Sequence, residues 1–325
     1  MSERVILAGS SSGSGKTTVA CAALGILKAC SLKVKAFKCG PDYIDPMFHL
    51  AALGASSENL DGFLCGNETL KYILSENSRG FDISVIEGAM GYYDGVGFTS
   101  EHSSYELSKL TGTPVIIIID CAGIGATLGA TLNGLVKYKS DSNIRGVIFN
   151  RISEQLYSGA RELAENMGIE SVGYLPKDSR INLESRHLGL KTAAETVYLQ
   201  DKMKCLFNIA EKTIDVKKII SIASAATEIK AINKKLSPIS ENVVIAVAND
   251  NAFCFMYEDN LRVLSELGCD ICFFSPLDGE GLPDNISGMY LGGGYPELYA
   301  KELSENAKMR ESIFDAANRN MPFIA

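Results

Sequence analysis

Near the start of the chain, Gly9-Ser10-Ser11-Ser12-Gly13-Ser14-Gly15-Lys16-Thr17-Thr18 gathers small residues, an amine and hydroxyls into one turn. Small residues let the backbone curl so that successive N–H groups face inward, a geometry that suits phosphate oxygens. Lys16 is placed to reach β- and γ-phosphates, and the Thr17 hydroxyl to ligate Mg²⁺. The spacing is G-x5-G-K-T, one residue longer than the common G-x4-G-K-[ST], because position 10 is serine. The alternative is a Gly/Ser-rich turn that binds nothing. The apolar strand before it and the helix after it favour the phosphate loop.

Carboxylates stand at two further turns. Cys39-Gly40-Pro41-Asp42-Tyr43-Ile44-Asp45-Pro46 carries Asp42 and Asp45 in a rigid polar loop after an apolar strand. That position suits a second Mg²⁺ ligand or a substrate carboxyl site. Equally, the two aspartates could merely cap the segment that follows. Glu87 ends the apolar run Asp82–Ile86 and opens Glu87-Gly88-Ala89-Met90-Gly91-Tyr92-Tyr93-Asp94-Gly95. An acid at the end of an apolar strand resembles a Walker-B position, holding Mg²⁺ directly or through water. Asp94 lies seven residues on in the same loop. The competing reading is a glycine-rich connector with an incidental glutamate. His49 reads as a surface or helix residue as readily as a ligand and is given no role.

Positioning these groups falls to alternating strands and helices. Val5–Ala8 reads as a buried strand, with a helix from Val19 to about Cys30 and a second strand over Lys33–Lys38. Asn59-Leu60-Asp61-Gly62 reads as a turn. Pro114–Ile119 is a continuous apolar run ending at Asp120, as in a parallel strand covered on both faces. Gly146–Phe149 leads into Asn150-Arg151, and Ser171–Leu175 is another short strand. This βαβα alternation predicts a mainly parallel α/β sheet with helices on both faces. From 201 to 242 lysines and small residues dominate, with no strand signal. Val243–Ala248 then restarts a strand, followed by a helix over Phe253–Leu267 and a strand over Asp270–Phe274. Met289-Tyr290-Leu291 ends in Gly292-Gly293-Gly294-Tyr295-Pro296-Glu297, and a helix follows from about Leu298. Pro322–Ala325 looks like the start of one more strand, so the second domain is expected to be incomplete. The expected boundaries are 1–200, 201–242 and 243–325.

At 325 residues, about two domains are expected. A net charge of −8 argues against non-specific nucleic-acid binding. The N-terminus enters a strand directly with no signal peptide, and the longest apolar run is too short to span a membrane. Nine dispersed cysteines fit reduced thiols and a cytoplasmic protein. Cys269-Asp270-Ile271-Cys272 lies in a strand-like run, where residues three apart face opposite sides, so neither zinc nor redox chemistry is expected there.

The motifs together resemble the cobyrinate a,c-diamide synthases, ATP-dependent amidoligases fused to a glutamine amidotransferase domain. The matching segments are Gly9–Thr18, Phe37–Pro46, Asn59-Leu60-Asp61, Glu87–Gly95, Asn150-Arg151, Arg186-His187-Leu188-Gly189-Leu190, Ala252-Phe253 with Tyr257, Phe274–Leu277 and Leu291–Glu297. They run over almost the whole chain in the family's order. The G-x5-G-K-T spacing is also similar to that of dethiobiotin synthetase. Partition-type ATPases carry a signature lysine early in the loop, where this chain has Ser11.

The resemblance implies a P-loop NTPase-type, dethiobiotin-synthetase-like domain followed by part of a class I glutamine amidotransferase-like domain. It implies ATP and Mg²⁺, a corrinoid or related tetrapyrrole acid as substrate, and glutamine or ammonia as nitrogen donor. The substrate carboxylate would form an acyl phosphate that ammonia converts to a carboxamide. Lys16, Asp42, Asp45, Glu87 and Asp94 would form the catalytic set, with Thr17, Asp45 and Glu87 on the metal. Gly13, Ser14, Gly15, Lys16, Thr17 and Thr18 would hold the nucleotide, with Asn150 reading adenine. Tyr43 and Ile44 would contact the corrin. Arg186 and His187 would bind substrate carboxylates or serve the domain interface. Gly292 and Gly293 would supply an oxyanion hole, with the glutaminase nucleophile expected beyond Ala325. A diamide synthase on a nickel tetrapyrrole, a cobyric acid synthase and a partition-type regulatory ATPase remain as alternatives. A homodimer is compatible with the sequence.

Overall fold

The structure, a computed structural model, describes residues 3–181, 183, 193–230, 236–239 and 242–325. The chain forms two compact units. In the first, the strands are β1 (Glu3–Gly9), β2 (Val34–Cys39), β3 (Ser57–Leu60), β4 (Ile83–Gly91), β5 (Val115–Asp120), β6 (Ile144–Asn150) and β7 (Glu170–Leu175). Among the described residues they make one seven-stranded sheet in the order β3-β2-β4-β1-β5-β6-β7. Every neighbouring pair is parallel. The helices are α1 (Lys16–Ala29), α2 (Ile44–Leu53), α3 (Asn67–Asn77), α4 (Ser104–Thr111), α5 (Thr127–Lys137), α6 (Glu154–Asn166), α7 (Ala193–Thr213) and α8 (Val216–Ala223).

Val5–Ala8 and Val115–Ile119 are buried throughout. A strand covered by helices on both faces has no polar side to alternate with, which is why both read as unbroken apolar runs. The helices α7 and α8 pack against α1, so this lysine-rich stretch joins the first unit. A parallel sheet brings the C-terminal ends of its strands to one edge, where ligands of open α/β sheets bind. Here that edge collects the loop after Gly9, the loop after Cys39, the end of β4, Asp120 and Asn150.

Three local expectations change. The first helix starts at Lys16, so the phosphate-loop lysine already belongs to it. Strand β4 runs through Glu87 to Gly91 and does not stop before the glutamate. The turn expected around Asn59 is in part an edge strand, β3, of sequence Ser-Glu-Asn-Leu. Its polar residues are buried and each is engaged. Glu58 pairs with Lys35 of β2, and the Asn59 amide donates to the carbonyls of Gly40 at 2.9 Å and Asp42 at 2.7 Å. Polar side chains that find partners across a sheet leave no apolar signal to read.

The second unit carries β8 (Val243–Ala248), β9 (Cys269–Phe274), β10 (Gly288–Tyr290) and β11 (Phe323–Ile324), with α9 (Glu258–Glu266), α10 (Ala300–Glu305) and α11 (Ala307–Asn318). Its described strands pair in parallel in the order β11-β10-β8-β9. Ala246, Ala248, Phe274, Met289 and Met309 form the core. The helix expected from Phe253 begins only at Glu258, because Ala252–Phe255 lies along the glycines after β10. A Cβ on Gly292 would lie 2.7 Å from the Phe255 carbonyl oxygen, and one on Gly294 would lie 2.1 Å from that of Ala252. Only residues without a Cβ permit this approach. Among the described residues, no helix is long and apolar enough to cross a membrane.

Candidate active site

The loop from Ser10 to Gly15 is anchored at both ends. The Ser10 amide donates to the Ile118 carbonyl at 2.8 Å, and the Tyr92 amide to that of Gly9 at 2.8 Å. Gly15 has φ +88°, and a Cβ there would meet the Asn150 amide nitrogen at 2.1 Å. Position 15 thus requires glycine both for its backbone angle and for room. The Asn150 amide donates to the Ser14 carbonyl at 2.9 Å, so the candidate adenine reader also braces the loop. Ser14 is fully buried, and its hydroxyl oxygen has no hydrogen-bond partner among the described residues.

Lys16 folds back along the loop, its Nζ donating to the Ser11 carbonyl at 3.2 Å. Burial, then the nearby Lys38 charge, lowers its pKa against the opposing pull of Glu87, Asp45 and Asp94. The Thr17 hydroxyl donates to Glu87 Oε1 at 2.8 Å and stands 3.4 Å from Asp45 Oδ1. The three proposed metal-holding residues therefore converge beside the phosphate loop. These are hard oxygen donors of the kind Mg²⁺ takes from protein, where one or two carboxylates and a hydroxyl complement substrate phosphates. Among the described residues, no group of three or more His, Cys, Asp or Glu forms an all-protein metal cage. A phosphate-assisted Mg²⁺ site needs none, so the donor set fits.

Lys38, to which the sequence reading gives no role, sits at the centre of this acidic cluster. From β2 its ammonium bonds Asp45, approaches Glu87 Oε1 at 3.2 Å and Asp42 Oδ2 at 3.5 Å, and donates to the Gly88 carbonyl at 3.2 Å. Burial alone would discharge it, but the carboxylates of Glu87, Asp45 and Asp42 outweigh burial and hold its pKa above the usual lysine value. Glu87 is also buried, which opposes ionisation. The Lys38 charge, with His49 and Thr17 donating to it, nonetheless holds its carboxyl well below the usual range. Asp45 goes the other way. Its burial, then the charge of Glu87, push it up to about 7 against the pull of Lys38.

His49, also without a role in the sequence reading, is buried behind Glu87, with Nε2 2.9 Å from Oε2. Of the readings left open for Asp42, the structure shows the cap. Its Oδ1 accepts from the amides of Ile44 at 2.9 Å and Asp45 at 3.2 Å, capping the start of α2, while Oδ2 faces Lys38. Asp94 accepts from the Gly91 amide at 2.9 Å and closes its own loop. Arg151 is a further residue missed in the sequence. With φ +59°, it donates from Nη2 to the Gly13 carbonyl at 3.0 Å and grips Asp120 through Nε and Nη2 at 2.7 and 2.5 Å.

A cavity of about 740 Å³ opens over these groups. Its lining includes Gly13, Gly15, Lys16, Thr17 and Thr18 of the phosphate loop, then Lys38, Asp42, Ile44, Asp45, Glu87, Met90, Asn150 and Arg151. Neither Ser14, Tyr43 nor Asp94 is part of that lining. Tyr43 is half-buried and directly precedes α2. A second hollow, of about 830 Å³, lies at the N-terminal ends of the strands, lined by Glu3, Arg79 and Asp82 among others. No residue of the phosphate loop lines it. Arg186 and His187 lie outside the described residues. In the second unit, Gly292 and Gly293 follow β10, and the Gly293 carbonyl accepts from the Phe255 amide at 2.9 Å.

Two family models match the chain. That described as the CobQ/CobB/MinD/ParA nucleotide binding domain covers residues 5–190, and that described as the CobB/CobQ-like glutamine amidotransferase domain covers 244–325. Residues 5–190 thus form a nucleotide-binding domain of that family. Among curated relatives, a protein named cobyrinate a,c-diamide synthase from Caldanaerobacter subterraneus subsp. tengcongensis is 41% identical over 323 residues, 98% of this chain and 71% of the relative. One of the same name from Thermoplasma volcanium is 42% identical over 327 residues, 99% of this chain and 71% of the relative. A third, from Priestia megaterium, is 36% identical over 99% of this chain and 71% of its own length.

Proposed function

The chain belongs to the cobyrinate a,c-diamide synthase family, ATP-dependent amidoligases with a glutamine amidotransferase domain, and on that premise we propose that it amidates the a- and c-side-chain carboxylates of cobyrinic acid in the cytoplasm. The observation that carries the site reading is the meeting of the Thr17 hydroxyl, Glu87, Asp45 and the Lys38 ammonium beside the phosphate loop.

In this reading the loop amides and Lys16 hold the β- and γ-phosphates of ATP, and Asn150 faces the adenine. Thr17, Asp45 and Glu87 would hold Mg²⁺, which would neutralise phosphate charge. A substrate carboxylate oxygen attacks the γ-phosphorus, ADP leaves, and an acyl phosphate forms. Ammonia then attacks the acyl carbon and inorganic phosphate leaves, giving the carboxamide. Chemistry of this kind asks a protein mainly for positioning and charge neutralisation. Lys38 supplies a fixed cation where negative charge accumulates. Asp42 orients the substrate or the incoming ammonia and Ile44 contacts the corrin, while Asp94, which closes its own loop, and Tyr43 act from outside the cavity lining. Arg186 and His187 are assigned to its carboxylates. Gly292 and Gly293 are assigned to the oxyanion hole of the domain that releases ammonia from glutamine.

The test is mass spectrometry of products from a panel of tetrapyrrole acids with ATP, Mg²⁺ and ammonia. Each exchange of carboxyl for carboxamide lowers the mass by the same small step, so product masses count the sites. Two steps on cobyrinic acid are expected. ATP turnover stimulated only by a protein or a membrane, with no amidated product, would overturn the reading.

A further inference from the structure

The two oxygens of Glu87 face different groups. Oε1 points to the cavity side and takes the Thr17 hydroxyl at 2.8 Å and the Lys38 ammonium at 3.2 Å. Oε2 is tied to the rear by His49 Nε2 at 2.9 Å. Glu87 and His49 are each 1% exposed, so neither exchanges this contact for water. An ionised carboxylate can only accept, so Nε2 is the donor. The other ring nitrogen, Nδ1, rests 3.3 Å from the hydroxyl of Ser57, a buried residue of β3. His49 also lies four residues after Asp45 on α2. Residues four apart share a helix face, so one helix carries a metal-side carboxylate and the clamp behind its partner.

We propose that His49 is a positioning residue that fixes Glu87 as a one-oxygen ligand and so sets the preference of the site for Mg²⁺ over Ca²⁺. Mg²⁺ demands a small, near-octahedral shell, whereas Ca²⁺ accepts six to eight oxygens and takes carboxylates in one- or two-oxygen fashion. With Oε2 held back, the carboxylate cannot turn to offer both oxygens. The geometry thus favours the smaller ion. This inference rests on the proposed assignment of Glu87 to the metal.

The experiment competes Mg²⁺ and Ca²⁺ against Mn²⁺ on the protein bound to a non-hydrolysable ATP analogue, with bound Mn²⁺ read by electron paramagnetic resonance. The nucleotide contributes alike in every variant, so differences belong to the protein. His49→Ala is expected to weaken Mg²⁺ about tenfold, as loss of a partner behind a metal ligand does. Ca²⁺ should change by less than about twofold, because its shell tolerates a rotated carboxylate. His49→Gln keeps an N–H donor and should recover the Mg²⁺ preference, a rescue that a merely space-filling role would not predict. If His49→Ala does not fold, Ser57→Ala loosens the same ring from its other side and should shift the ratio in the same direction. An unchanged Mg²⁺/Ca²⁺ ratio in the folded variant overturns the proposal. Glu87→Gln separates the two readings. If it weakens the metal while His49→Ala leaves the ratio alone, only the positioning role falls; if it changes nothing, the metal assignment of Glu87 falls as well.

Discussion

The ammonium of Lys38 lies 3.2 Å from Oε1 of Glu87, with 2% of the lysine and 1% of the glutamate exposed. Both are almost wholly buried at the floor of the cavity, and Glu87 is one of the carboxylates that balance the lysine charge. Removing one partner of a buried ion pair strands the other, at about 3–5 kcal/mol. Lys38→Met should therefore lower stability by about that much. The double variant Lys38→Met with Glu87→Gln should lose less than the sum of the two singles, because it removes the stranded charge. Urea unfolding of the four proteins measures both.

Asp45, pushed up to about 7 by burial and by Glu87, holds a proton that a bound cation must displace. Metal affinity should accordingly rise with pH and level off above about 7, with proton release on binding near neutrality. Calorimetry in two buffers of different ionisation enthalpy reads that release, and Asp45→Asn should abolish it. For folding the sign is reversed. A carboxyl that holds its proton more tightly in the folded state contributes stability that is full below its ordinary value of 3.8 and is lost as pH rises through about 7.

Lys16→Ala should reduce ATP-dependent amidation with ammonia as donor by about a hundredfold or more, since a single donor aimed at developing charge contributes on that scale. Product formation by mass spectrometry is the measurement. Activity that persists would remove Lys16 from the phosphate site.

Arg151 grips Asp120 through Nε and Nη2, and the same Nη2 holds the Gly13 carbonyl. Its effect should fall on binding more than on turnover. Arg151→Ala is expected to raise the KM for ATP about tenfold, roughly one charge-assisted hydrogen bond, with kcat nearly unchanged. Arg151→Lys should not rescue it, because a lysine cannot make the two-pronged contact with a carboxylate. Steady-state kinetics at saturating tetrapyrrole separates the two constants.

The parallel sheet of the first unit and the phosphate loop were legible because each is written locally, in unbroken apolar runs and in a glycine-serine turn before Lys16. Glu87 was legible because an acid closing an apolar run is conspicuous. Lys38, His49 and Arg151 were not. Lys38 looks like one of three lysines in the expected strand Lys33–Lys38, and only the fold shows that Glu87, 49 residues on, lies beside it. His49 is an unremarkable helix residue until Glu87 and Ser57 arrive on either side of its ring. Strand β3 was hidden because its burial is polar. Such residues acquire meaning through partners far along the chain, and local pattern carries no record of them.

The strand order β3-β2-β4-β1-β5-β6-β7 makes β1, synthesised before the other strands of its sheet, a central one. Its two neighbours are residues 83–91 and 115–120. At about 5–20 residues per second, Val5–Ala8 waits roughly 5–20 s for both flanks, an apolar segment open to chaperones or to wrong partners. The phosphate loop waits with it, because the Ser10 amide is anchored on the carbonyl of Ile118. Nascent chains halted before that residue should not retain nucleotide, and those halted well past it should, which makes nucleotide capture a clock for closure of the sheet during synthesis.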